Sequence, residues 1–456
     1  MKKETFKPNF QTMREAALAD YFTFLRFPSI SSEEKYRPDV LKCADWLVSY
    51  LKKMGFTVDL WKGDGHPVIF ASYEKAGPDQ PTLLIYNHYD VQPVDPLELW
   101  ETPPFEPTIK NGQVFARGAQ DNKGQCFYVL LALKTLIDAQ GTLPINIKLC
   151  IEGEEECGST ALTHLLQQKT KELKADYLAI VDVGTPNPTT PAINLGVRGI
   201  ITMDVIATGT PHDLHSGLHG GLAYNPIHAL VSLLGNCRDP SGKITIPGFY
   251  DNVRPITAEE KRSVSWEFDA ENYAHMFGVN PTGGETAYPP LERNWIRPTL
   301  EINGIAGGYS GNGFKTVIPA QAIAKVSCRL VPNQDPHQIF NLLKTHFERS
   351  APPGIQIKVV QHGEGGLPMR TSPDTPLVQA CKKAYETVFQ APCKMIFDGA
   401  SIPVTSALAK AAGALPVLIG LGLPDDLIHA PNEHFGIDRI EKGVLLITNV
   451  LHNLAK

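Results

Sequence analysis

No Cys-x-x-Cys pair occurs in this chain, and eight cysteines spread over 456 residues are too few and too scattered for a disulfide framework. Cys43, Cys126, Cys150, Cys237, Cys328 and Cys381 fall in apolar periodic segments, where cysteine behaves as a small hydrophobe. Cys157 lies instead beside a run of glutamates, whose charge raises a thiol pKa rather than activating it. A Lys/Arg-rich cluster interleaved with aromatics is also missing. With a formal net charge of -6 there is no basic field, which argues against a nucleic-acid partner. No apolar run approaches the length of a membrane-spanning helix, and Met1 to Gln11 lack the apolar core of a signal peptide. The expectation is a cytoplasmic protein with no membrane partner. Its length exceeds one ordinary core, so two domains are expected.

What the chain does have is a collision of apolar and acidic residues at Leu149 to Ser159. Ile145, Ile147, Leu149 and Ile151 read as a strand, and Glu152, Glu154, Glu155 and Glu156 emerge at its carboxyl end, where open α/β sheets place their ligand sites. Like charges this close need water, a helix N-terminus or a cation among them. The same design recurs. The apolar run Leu83 to Tyr86 leads into Asn87-His88-Tyr89-Asp90, Tyr177 to Val181 ends in Asp182, and Leu415 to Leu421 opens into a loop carrying His429. Asp121 stands in Gly118 to Gly124, just before the helical pattern of Phe127, Leu130, Leu131, Lys134 and Ile137.

Alternating strands and helices predict an α/β fold, a mostly parallel mixed sheet flanked by helices. From about Asn194 the character changes. The strands Ile200 to Thr208, Ile323 to Val331 and Ile355 to Val360, with the helices Asn225 to Cys237 and Pro336 to Arg349, predict an inserted α+β ferredoxin-like unit. The outer domain is assigned to residues 1–193 and 364–456, and the insert to 194–363. Within it, Pro240 to Pro298 has no clear periodicity and reads as an ordered insertion.

Taken singly, each acidic or histidine position has a bland explanation. The glutamates suit a solvated helix start, Asp121 an N-cap, Asp182 a turn and His429 an ordinary loop. Their shared sheet edge changes the reading. Two imidazoles and several carboxylates suit a divalent ion such as zinc, manganese or cobalt. Strand geometry puts His88 and Asp90 on one side, so Asp90 can accept the second ring proton and fix the tautomer. An aspartate shared by two ions would hold them about 3.5 to 4 Å apart, close enough for a bridging hydroxide. One member of the Glu155-Glu156 pair would be a ligand and the other a general base.

These residues carry a resemblance to the di-zinc metallopeptidase family of carnosinase, cytosolic non-specific dipeptidase, aminoacylase, acetylornithine deacetylase and succinyl-diaminopimelate desuccinylase. It rests on His88-Tyr89-Asp90, Gly118 to Gly124, Glu152 to Ser159, Asp182, Leu214-His215-Ser216-Gly217, Lys315 to Pro319, Arg329 to Pro332 and Ile428-His429-Ala430. The resemblance implies two divalent ions per subunit, zinc first and manganese or cobalt as alternatives. His88 and Asp182 would bind one, Glu156 and His429 the other, Asp121 would bridge them, and Glu155 would be the base. It further implies that the insert is a lid and dimerisation domain of a homodimer. His215 would cross from the partner subunit to polarise the scissile carbonyl, and Arg329 would pair with a substrate carboxylate.

The later motifs resemble the dipeptidase branch, which implies a small peptide with a free C-terminal carboxylate as substrate. Where that branch usually has Arg-Glu-Gly-Gly-Ser-Ile-Pro, this chain has Phe397-Asp398-Gly399-Ala400-Ser401-Ile402-Pro403. Gly399 and Ser401 remain expected carboxylate contacts, while Asp398 and Ala400 leave the substrate preference open. An aminoacylase or N-acyl amino-acid deacylase needs the same metals and is the alternative. A metal-free binding protein of the same fold is the remote one.

Overall fold

The computed structural model describes residues 10–402 and 404–455. Most of the segment read above for a signal peptide, and Pro403 of the 397–403 motif, lie outside the described residues. The contacts divide the chain into two compact units. One comprises Met1–Leu195, Thr371–Ile396 and Val404–Lys456, the other Gly196–Arg370 and Phe397–Pro403. Residues 364–370 and 397–403 thus go with the second unit, where the sequence reading leaves them with the outer domain. Local contacts explain this: Met369–Arg370 pairs with Gly196–Val197, and the Phe397 ring meets the Arg370 guanidinium and the Trp266 indole.

The first unit is built on an eight-stranded mixed sheet. Its order is Thr57–Trp61, Val68–Tyr73, Asn146–Glu152, Thr82–His88, Tyr177–Val181, Pro416–Ile419, Ala192–Asn194 and Lys394–Ile396. The central neighbours, from Asn146–Glu152 to Pro416–Ile419, are all parallel. Every residue of Asn146–Glu152 is buried, the pattern of a strand covered on both faces. Helices supply that cover. In Ile437–Leu454 the buried side chains Ile440, Val444, Ile447 and Leu451 recur at helical spacing, and this helix packs on Lys123–Gln140 and Pro376–Phe389. Parallel register brings His88 level with Glu152, so the residues that follow both strands leave the sheet at the same edge.

The second unit is the expected ferredoxin-like layer. Its antiparallel sheet has the order Thr299–Gly307, Gln321–Leu330, Gly199–Thr208 and Gln356–Gly366. Strict alternation in Gly199–Thr208 turns Ile201, Met203, Val205 and Ala207 toward Leu230, Leu233, Leu343 and Phe347 of the helices Pro226–Gly235 and Pro336–Arg349. The edge strand Thr299–Gly307 escapes the sequence reading for a physical reason. Apart from Leu300 its residues are at least partly exposed, and Gly304 and Gly307 interrupt it, so no alternation marks it. The insertion contains the short helices Ala258–Ser263, Ala270–Phe277 and Pro290–Trp295. In the first unit, two short helices, Thr160–Leu166 and Thr170–Leu173, follow the glutamate turn.

Candidate metal centre

Each expected ligand of the first unit sits where a regular element stops. His88 is the last residue of its strand, Asp182 directly follows Tyr177–Val181, and Asp121 precedes the helix Lys123–Gln140. Glu155 and Glu156 form a single 3-10 turn after Asn146–Glu152, and His429 lies in the loop after Pro416–Ile419. The structure brings them together as two groups that share one residue. His88, Asp121 and Asp182 form one, and Asp121, Glu156 and His429 the other, with the ligand atoms of each group within 4.8 Å of one another. His88 Nε2 is 3.2 Å from Asp121 Oδ1 and 3.7 Å from Asp182 Oδ1. His429 Nε2 is 3.0 Å from Asp121 Oδ2 and 3.4 Å from Glu156 Oε2. Asp121 therefore turns one oxygen to each histidine.

Asp90 does more than the sequence reading assigns to it. His88 Nδ1 lies 3.1 Å from its main-chain carbonyl and 3.3 Å from Oδ1, so backbone and carboxylate share the orienting task. The same carboxylate accepts the N–H groups of Glu155 at 3.2 Å and Glu156 at 3.1 Å, together with the hydroxyl of Ser31 at 2.6 Å. It thereby sets the turn that aims both glutamates. Ser29 and Ser31 are both buried.

Supporting residues that the sequence reading misses include Gln92, whose amide donates to Glu156 Oε2 at 2.7 Å. Asn122 donates to Asp182 Oδ1 at 2.5 Å and accepts from Asn87 at 2.7 Å, tying two strand ends together. Glu152 and Glu154 are braces. Glu152 is fully buried against Tyr86 and Ser159, while Glu154 accepts N–H groups from His66 and Ala161. The His429 loop is closed by Asp426 and Arg439, a buried two-pronged pair with both contacts at 2.6 Å. Removing one partner of such a pair costs about 3–5 kcal/mol.

The electrostatics fit a divalent cation. Burial pushes the Glu156 carboxyl up to about 10, with Asp121 adding to the shift and His88 opposing it. Burial likewise raises Glu155 to about 7, opposed by His88 and reinforced by Asp182, Asp121 and Asp90. Asp182 is raised by burial against the pull of His88. Burial opposes charge on His88, yet Asp182, Asp121 and Asp90 outweigh it and hold the imidazole well above its ordinary value. Asp121 moves the other way: despite its burial, His429 and His88 hold its carboxyl well below the usual range. The oxygen and imidazole donors of the cluster suit zinc, manganese or cobalt. The Cys157 thiol is pushed up to about 11 by partial desolvation and by Asp90, Glu154 and Glu152, so it is no activated thiol.

In the second unit Arg329 Nη1 donates to Ser401 Oγ at 2.7 Å, and the Gly399 carbonyl accepts from Arg198 Nε at 2.8 Å. A side chain at position 399 would meet the Asn294 amide group, which would have to shift. Arg329, Gly399 and Ser401 are thus brought together. His215 lies elsewhere in this unit, exposed on the short strand Leu214–His215, with Nδ1 accepting the N–H of Gly217 at 3.0 Å.

A parallel-sheet edge carrying two imidazole–carboxylate groups joined by one aspartate has the make-up of a metal-dependent hydrolase. The profile described as Peptidase family M20/M25/M40 matches residues 84–453. The chain is 32% identical over 451 residues to the Cys-Gly metallodipeptidase dug1 of Schizosaccharomyces pombe, covering 94% of this chain and 93% of that protein. It is 36% identical over 372 residues to the human Beta-Ala-His dipeptidase, covering 80% and 73%. The crystal structure of the M20 family metallo-carboxypeptidase Sso-CP2 from Sulfolobus solfataricus superposes with a TM-score of 0.86 at 34% identity, covering 96% of this chain and 99% of that one. The chain belongs to peptidase family M20/M25/M40, on the branch that contains the dipeptidases, and is a hydrolytic metallopeptidase. No helix among the described residues is long and apolar enough to cross a membrane.

Proposed function

We propose that this enzyme is a dipeptidase, cleaving the amide bond of small peptides that end in a free carboxylate. The observation that carries the reading is Asp121, one carboxylate facing two ligand groups, with Glu155 in the same buried cluster. His88 and Asp182 hold one divalent ion, Glu156 and His429 the other, and Asp121 serves both; zinc is expected, with manganese or cobalt able to replace it. Such a pair, when bound, supplies the Lewis acidity that makes water nucleophilic near neutral pH and polarises a carbonyl.

The chain's own residues do the rest. Glu155 takes the proton of the attacking water and returns it to the leaving amine, while Asp90 holds the Glu155 backbone in place. Arg329, held by the Ser401 hydroxyl, pairs with the substrate carboxylate, with Gly399 and Ser401 as further contacts. The insert acts as lid and dimerisation domain, and His215 of one subunit assists the carbonyl of the other. Supporting a homodimer, the edge strand Thr299–Gly307 leaves Ile302 and Ile305 exposed, and Val231 is exposed on Pro226–Gly235. Eight unpaired cysteines support a cytoplasmic address.

The relatives named for Cys-Gly and Beta-Ala-His cleavage support a dipeptide substrate, and the metallo-carboxypeptidase neighbour supports longer peptides with the same free carboxylate. Hydrolysis of a panel of dipeptides, tripeptides and N-acyl amino acids, with zinc, manganese and cobalt added separately, tests the reading. Dipeptides are expected to be the best substrates. A preference for N-acyl amino acids would replace this proposal with the deacylase alternative.

A further inference from the structure

Asp121 and His429 come from loops, and the strands that flank them, Gln113–Phe115 and His434–Gly436, pair antiparallel. Asp121 closes the turn before Lys123–Gln140, and His429 sits between Pro416–Ile419 and His434–Gly436. The junction between these loops is Glu433. Its side chain is fully buried, it belongs to neither ligand group, and its main-chain carbonyl accepts the N–H of Ala116 at 3.1 Å.

The two carboxylate oxygens of Glu433 have separate tasks. Oε2 accepts from Arg117 Nη1 at 2.7 Å and from the Gly118 N–H at 2.8 Å. Oε1 accepts from the main-chain N–H groups of Gln120 at 2.9 Å and Asp121 at 3.0 Å. Arg117 balances the buried charge, and it needs only Oε2 to do so. The contacts of Oε1 go instead to the peptide unit that carries the aspartate. All four contacts come from donors, so only a carboxylate satisfies them, since an amide would turn its own N–H groups toward one pair.

We propose that Glu433 is a positioning residue of the metal centre: through the N–H of Asp121 it fixes the shared carboxylate against His429, so that one side chain serves both ions. The proposal rests on the reading of Asp121 as the shared ligand. Glu433 touches neither ion nor substrate, and it acts on metal affinity through the placement of Asp121.

The test titrates metal-free wild type, Glu433→Gln and Arg117→Lys with zinc against a competing chelator, and records the melting temperature of each. Wild type is expected to take up two ions. Glu433→Gln is expected to lose about 10- to 100-fold in affinity for both, the range seen when a partner of a metal ligand is removed. Arg117→Lys keeps the Oε1 contacts, and is expected to melt earlier while binding both ions within about twofold of wild type. Wild-type affinity in Glu433→Gln, or an equal loss in Arg117→Lys, overturns the positioning role. If Glu433→Gln does not fold, amide hydrogen exchange in the metal-free wild type decides. Protection of the Gln120 and Asp121 N–H groups supports the proposal, and exchange at open-loop rates overturns it. A wild type that takes up fewer than two ions overturns the shared-ligand reading itself, and with it the role of Glu433.

Discussion

His429 Nε2 stands 3.0 Å from Oδ2 of Asp121, although 308 positions separate them in the chain. Because the other oxygen of Asp121 faces His88 at 3.2 Å, this side chain is the only one common to the two ligand groups. Asp121→Ala is therefore expected to abolish binding of both ions, with each affinity falling by more than the roughly 100-fold that removal of an outer partner costs. Asp182→Ala is expected to spare the ion held by Glu156 and His429. Metal analysis after dialysis reads the difference, and one ion retained by Asp121→Ala would contradict the shared role.

Metal uptake is expected to depend on pH with a definite sign. In the metal-free site burial raises Glu155 to about 7 and Glu156 to about 10, so near neutrality Glu156 holds a proton and Glu155 is about half protonated. An ion must displace these protons, and affinity rises with pH, by about tenfold per unit for each proton released. Calorimetric titration with zinc at pH 6 and pH 7, in buffers of different ionisation enthalpy, measures affinity and proton release together. An affinity indifferent to pH, with no proton released, would contradict the account.

Arg329 is expected to matter only for substrates that carry the carboxylate. Arg329→Ala should lower kcat/KM for a dipeptide by about 10- to 100-fold, the worth of a hydrogen bond to a charged group. Cleavage of the corresponding dipeptide amide, itself expected to be slow, should change little. Equal losses on both substrates would place Arg329 outside carboxylate recognition.

For the dimer, Ile305→Lys together with Ile302→Lys puts two charges on an exposed edge strand, without disturbing the buried side of that sheet. Sedimentation is expected to show a monomer with little activity, because His215 then has no second subunit to serve. A fully active monomer would remove the cross-subunit role.

Much of the fold, and the convergence of the expected ligands on one place, could be read from the residues alone, because those residues sit where apolar runs stop. His88, Asp182 and the glutamate turn each end a buried strand, and parallel pairing brings such ends to one edge. The ferredoxin-like order was legible from its strand–helix–strand halves, with the exception of Thr299–Gly307, whose exposed and glycine-interrupted sequence lacks a period. The supports were not legible. Ser31, Gln92 and Glu433 act across loops on residues 59, 64 and more than 300 positions away, and no local pattern encodes such contacts. Asn122 was inside a recognised motif, but only the structure distinguishes its amide, which donates to Asp182, from an ordinary helix start.

The central claim is that Glu155 moves the proton while the other acids hold the ions. Steady-state hydrolysis of a dipeptide by Glu155→Gln, with bound metal counted on the same sample, tests it most directly. The account predicts two ions per chain and kcat lower by about 10²- to 10⁴-fold, the usual worth of a general base. Near wild-type turnover with both ions in place would contradict it.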